Sequence, residues 1–254
     1  VKLLNINLIP KFIDEAMSPV AKSVGNSVSN LWELAFGNHV ELWVKKQEFK
    51  HQLNYEDYVN KINEKLNSIP SEDLVEPQLN IIGPAIEASK YYIDSEELRE
   101  MFANLIVASM NNDKVNSVHP SYVEIIKQLN SDEAKILKNI EGDIFPLLSV
   151  SYKHENGLSV APIFKDFSDI AEKSGCEHPI KILAYLDNLK RLGLISFHDN
   201  VKISNDEPYE KLKEHELIKH HAKVASVFGE PVYINSCAQV TTFGKIFRSI
   251  CIQE

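Results

Sequence analysis

Residues 76–142, EPQLNIIGPAIEASKYYIDSEELREMFANLIVASMNNDKVNSVHPSYVEIIKQLNSDEAKILKNIEG, decide the fold, because helical periodicity and chain punctuation are clearest there. Leu98, Met101, Phe102, Leu105 and Ile106 fall at offsets 0, 3, 4, 7 and 8. That spacing gathers apolar side chains on one face of a helix running from about Ser95 to Asn111. Glu96, Glu97, Arg99, Glu100 and Asn104 make its other face, read as solvated. Asp94 or Ser95 caps the N-terminus, Glu97 stands three residues after Asp94, and the acidic first turn complements the helix dipole. Upstream, Leu79, Ile82, Ile86 and Tyr92 predict a partner helix that Gly83-Pro84 must start or kink, since proline lacks the donor for the preceding turn. Downstream, Pro120 opens a short helix carrying Tyr122, Ile126 and Leu129, and Ser131 caps another with Ala134, Leu137 and Ile140 inward. The stretch reads as packed helical core and carries no recognisable chemistry.

Working outward towards the N-terminus, residues 12–36 combine Val20, Val24, Val28, Leu31, Trp32, Ala35 and Phe36 with the small residues Ala21, Gly25 and Ser29 at intervals of four. Such a ridge lets helices approach closely in water or in lipid. The favoured reading is a helix packed into the core, because Asp14, Glu15, Lys22 and Glu33 interrupt the apolar run. The sharper reading is an amphipathic segment that docks on a membrane after activation, with Trp32 and Trp43 at the interface. From His39 to about Asn67 the pattern predicts one long or broken helix with a charged, solvated face, ended by Pro70.

Beyond Gly142 the texture changes. Phe145–Tyr152 reads as extended, a helix is expected near Ile163–Lys173, and another over Pro179–Leu192 with Gly193 as its C-terminal cap. Leu194–Phe197 and Val232–Ile234 read as strands around a polar segment over 206–223, and a last helix covers roughly Thr242–Ile252. The expected fold class is mainly α: an N-terminal helical region over 1–128, then a winged-helix-like α+β region over 129–254 with a small antiparallel sheet and an insertion near 205–225. Winged helices bind DNA, RNA and proteins alike, so this fold fixes no function.

Three segments in order, IIGPAIEASKYY, EELREMFANLIVASMN and VHPSYVEIIKQL, resemble the bacterial abortive-infection alpha family, long catalogued as a domain of unknown function. The resemblance runs from about Pro19, through LWELAFG, to TTFGKIFRSIC. It implies phage defence by sacrifice of the infected cell. It brings no catalytic residues with it.

The 254 residues carry a net charge of −9, as −6 over 1–120 and −3 over 121–254, so neither half is a basic nucleic-acid binder. Arg99, Arg191 and Arg248 are the only arginines, which argues against bidentate phosphate or guanine recognition. The exposed positions on the Pro179–Leu192 helix are expected to be Lys181, Tyr185, Asn188, Lys190 and Arg191. That set suits a contact with a partner better than a DNA-reading face; a nucleic-acid-binding regulator is the competing reading. Cys176, Cys237 and Cys251, far apart and without a CxxC pair, fit free thiols in a reducing cytoplasm. No run approaches the ~18–20 apolar residues that span a bilayer, and LLNINLI is too short and polar for a signal peptide.

No phosphate loop, nucleophile elbow, HExxH or Arg–His ribonuclease spacing occurs. Cys176 with His178, and His215 with His220 and His221, read as surface residues rather than a zinc site, for want of four ligands at a definable spacing. The expectation is therefore a cytoplasmic, non-enzymatic effector or sensor without cofactor or metal. It would act through a phage or host protein, or through self-association, with a membrane engaged on activation and nucleic acid not expected.

Overall fold

The computed structural model describes residues 12, 19–45, 49–154, 158, 161–199 and 201–252, with backbone alone over 38–45 and 49–52. The chain is mainly α. Among the described residues it holds eleven α-helices and one four-stranded antiparallel sheet, and it divides into two compact units, 1–131 with 246–254 and 132–245. The sequence division at 128/129 places 246–254 in the second region, whereas these residues group with the first unit.

In the first unit, α1 (Pro19–Lys45), α2 (Phe49–Asn67), α3 (Leu79–Ser89), α4 (Glu96–Ala108) and α5 (Ser121–Lys127) pack together. The α1 periodicity buries Ala21, Val24, Val28, Trp32, Ala35 and Phe36. Trp32 anchors that face: its ring stacks on Phe36 at 4.5 Å, and its indole Nε1 donates to the Tyr55 hydroxyl at 2.8 Å. Burial pushes the Tyr55 pKa up to about 12, against the lowering effect of that donated bond. Ser95 is the N-cap of α4, its hydroxyl accepting from Leu98 N–H. Pro84 lies inside α3 on its exposed side, where the one carbonyl deprived of a partner, that of exposed Asn80, can meet water.

One expectation is corrected here. Arg99 and Asn104 are buried, not solvated, because α4 is covered by α2, α3 and α5 rather than on one face. Arg99 binds Asp57 through Nε and Nη2, and Asn104 donates to the Cys251 carbonyl at 3.0 Å.

The second unit holds α6 (Ser131–Asn139, from Asp132 onward), β1 (Ile144–Lys153), β2 (Phe164–Phe167), α7 (Ile170–Lys173), α8 (Ile182–Arg191), β3 (Ile195–His198), α9 (Glu207–Lys213), α10 (Glu216–Ala225) and β4 (Glu230–Val240). The division falls inside α11 (Thr242–Cys251). Sheet order is β2-β1-β4-β3, all antiparallel. Gly193 closes α8 with φ +73°, and Gly193 and Leu194 N–H groups return to the Lys190 and Leu189 carbonyls.

The helix expected near Ile163–Lys173 is corrected to a strand and one helical turn. Phe164 and Phe167 pair with Val150 and Leu148, and the extra residue between them makes a bulge in which Asp166 takes φ +60°. That bulge breaks the alternation by which a strand is recognised in sequence.

Candidate functional site

Helix α8 was the surface expected to meet a partner, and its residues face different ways. Lys181 is exposed, in a short 3-10 turn ahead of the helix. Lys190 is exposed and lies over the Phe197 ring at 4.2 Å. Arg191 directs Nε and Nη2 to Asn188 Oδ1 at 3.1 and 2.7 Å, and Asn188 Nδ2 donates to Glu133 at 2.9 Å. Tyr185 departs from expectation: it is 5% exposed and turned inward.

The reason is Asp132, buried in the first turn of α6. Its carboxylate accepts from the Glu177 N–H at 2.7 Å, the His178 N–H at 2.9 Å and the Tyr185 hydroxyl at 2.8 Å. Burial alone would raise the carboxyl pKa. The two backbone donors and the phenol outweigh it and hold Asp132 below the ordinary carboxylate value. The same arrangement raises Tyr185, by burial first and then by its bond to the anion. Burial and the nearby Asp132 charge push the Cys176 thiol up to about 11, so it is a poor nucleophile. Asp132 therefore ties α6, the 176–178 loop and α8 into one body, and the Asn188–Glu133 bond adds a second tie. The lone signal of this in the sequence is an acidic residue in a first helical turn, which reads equally well as a dipole partner.

The histidines also have structural work. His215 caps α10 by accepting from Leu217 N–H, and its Nε2 lies 2.8 Å from Glu172. His221 stacks on Phe164 at 4.0 Å. Among the described residues no group of three or more His, Cys, Asp or Glu side chains could hold a metal ion.

In the first unit, the α1 ridge expected to serve a membrane or helix contact is largely inward: Ala21, Gly25 and Trp32 are buried and Ser29 is half-buried. The Trp43 side chain lies outside the described residues. No described helix is long and apolar enough to cross a membrane. A charged network joins α2 to α4, with Glu100 taking Lys65 at 2.7 Å and Lys61 at 3.2 Å.

A family model for abortive infection alpha matches residues 50–251. The chain belongs to that family. The matched span starts at α2, so the LWELAFG segment in α1 lies outside it, a narrower extent than the resemblance from Pro19 suggests. All four strands, the Asp132 network and the Lys61–Lys65–Glu100 network lie inside the span shared with the abortive infection alpha family. No curated protein matches the chain. Among solved structures, an uncharacterized protein from the hydrocarbon-degrading marine bacterium Alcanivorax borkumensis is 16% identical. The alignment covers 56% of this chain and 96% of that one with a TM-score of 0.37.

Proposed function

We propose that this abortive-infection protein is a non-enzymatic, cytoplasmic effector or sensor that acts by contacting a protein component of the phage or the host. The observation that carries the reading is the family match over 50–251, which excludes α1. A mechanism common to the family has to operate from the matched span. The membrane route draws on Ala21, Gly25, Ser29 and Trp32, all outside that span, and three of the four are buried, Trp32 against Phe36 and Tyr55. Exposing that face would break the Trp32–Tyr55 hydrogen bond and uncover Val24, Val28, Trp32 and Phe36 with the smaller Ala21 and Ala35, at a cost of several kcal/mol.

The second unit is read as winged-helix-like. In support, β1 is followed by α7 and α8, then β3 and β4, with β4 lying between β1 and β3, while β2 and the α9–α10 pair are additions. Such a unit serves protein contact as readily as nucleic acid. The turn before α8 offers exposed Lys181 and the helix itself exposed Lys190, with Arg191 engaged by Asn188.

The route is tested by following membrane potential with a voltage-sensitive dye in infected cells that carry the gene. Death with the potential intact is expected. Depolarisation ahead of death would return the mechanism to α1 and the membrane.

A further inference from the structure

A cleft of about 150 Å³ opens in the first unit where α2 and α4 end. A space of that size holds a single six-membered ring, benzene being the measured case. Ile69, Val107, Ala108 and Ile250 give it apolar walls. Asn104, 6% exposed, is the most deeply buried polar side chain that lines it.

Asn104 Nδ2 donates to the Cys251 carbonyl at 3.0 Å, and that bond fixes the amide's orientation, because a carbonyl accepts only from the nitrogen end. Oδ1 is left at the other end. It takes no hydrogen bond from any described residue and is not sealed from solvent, so it stands as a bare, preorganised acceptor on the cleft. The Ser68 hydroxyl is an acceptor too, since its own hydrogen goes to the Lys65 carbonyl at 2.7 Å. The C-terminal ends of the two helices add the partial negative charge of their last carbonyls.

We infer that this cleft binds a small, neutral, planar ring bearing N–H donors, the chemistry of a free pyrimidine base, with one N–H donated to Asn104 Oδ1 and the ring against the apolar walls. Charge of either sign is opposed. An anion would meet two helix C-termini, with Lys65 committed to Glu100 at 2.7 Å and Lys114 engaged as well, so neither ammonium is offered to it. A cation would meet those same two ammonium groups in the wall. A ring without N–H groups displaces water from Asn104 Oδ1 and puts nothing in its place, which selects against it.

The experiment titrates the purified full chain with uracil by calorimetry at low and physiological salt, with pyrimidine, the same ring without N–H groups, as reference. Saturable one-to-one binding of uracil is expected at both salts with the same affinity, and about tenfold or more tighter than that of pyrimidine. Asn104→Ala should weaken uracil binding about tenfold, the loss of one hydrogen bond. Val107→Phe, which fills the cleft and leaves Asn104 in place, should abolish it. Circular dichroism melts confirm that each variant is folded, and the comparison of the two rings stands without any variant. The inference is overturned by absence of saturable uracil binding below about 1 mM, by equal affinity for the two rings, by binding that weakens steeply with salt, or by binding that either substitution leaves unchanged.

Discussion

Replacing Asp132 by alanine should loosen the second unit by about 2–3 kcal/mol, as follows from where its three donors sit. Hydrogen bonds to a charged group contribute about 1.5–3 kcal/mol each, and three are lost. Glu177 and His178 are exposed, so their N–H groups can turn to water and most of their share is recovered. The Tyr185 hydroxyl is buried with its ring and has no such recourse, which keeps the cost well above that of a surface substitution. At about 2–4 °C per kcal/mol, the melting temperature falls by about 4–12 °C. Tyr185→Phe, which leaves the two backbone bonds in place, should cost about 1 kcal/mol.

The pH dependence adds an independent check. The folded pKa of Asp132 is depressed, so its contribution is fully present above the unfolded value near 3.8 and is lost as pH falls through the folded value. The gap between wild type and Asp132→Ala in urea titrations should therefore hold from about pH 7 to 5 and close below about pH 4. A gap at pH 7 within about 0.5 kcal/mol, or one that persists unchanged in acid, would show that Asp132 is not the tie between α6, the 176–178 loop and α8.

Three further outcomes are expected from thermal melts. A Cβ at Gly244 would stand 2.1 Å from the Leu194 carbonyl oxygen, which is backbone and cannot step aside, so Gly244→Ala should lower the melting temperature by more than about 5 °C; an unchanged melt contradicts that packing. Asp166 has its pKa raised, by burial above all, so its charged form is disfavoured in the fold and its contribution worsens as pH rises through the folded value. Asp166→Asn, which tolerates the φ of +60°, should accordingly raise stability at pH 7, with the gain shrinking as pH falls through the carboxylate range, and a loss at pH 7 refutes this. Burial and then His220 lower the His221 pKa, so stability should fall as pH drops below about 6.5, and His221→Phe, which keeps the stack on Phe164, should flatten that dependence; an equal slope in both proteins excludes His221 as its source.

What the sequence made legible was local. The buried stripe of α1 from Ala21 to Phe36, the Ser95 cap and the Gly193 stop each rest on residues within a few positions of one another, and each is found in the structure. What escaped depends on distant partners. Tyr185 turns inward because Asp132 lies 53 residues earlier, and Arg99 is buried because Asp57 waits on another helix, 42 residues before it. A helix covered on several sides shows the same apolar spacing as one covered on a single side, so α4 looks half-solvated until α2, α3 and α5 are placed around it. Strand β2 was hidden because its bulge at Lys165–Asp166 shifts Phe164 and Phe167 out of strict alternation.

The most direct measurement of the central claim is phage yield per infected cell with and without the gene, across a broad phage panel in a susceptible host, together with the time at which infected cells die. An abortive-infection effector or sensor predicts a reduced burst from at least one phage, with infected cells dying before progeny are released. Equal yields with and without the gene for every phage in the panel would contradict it.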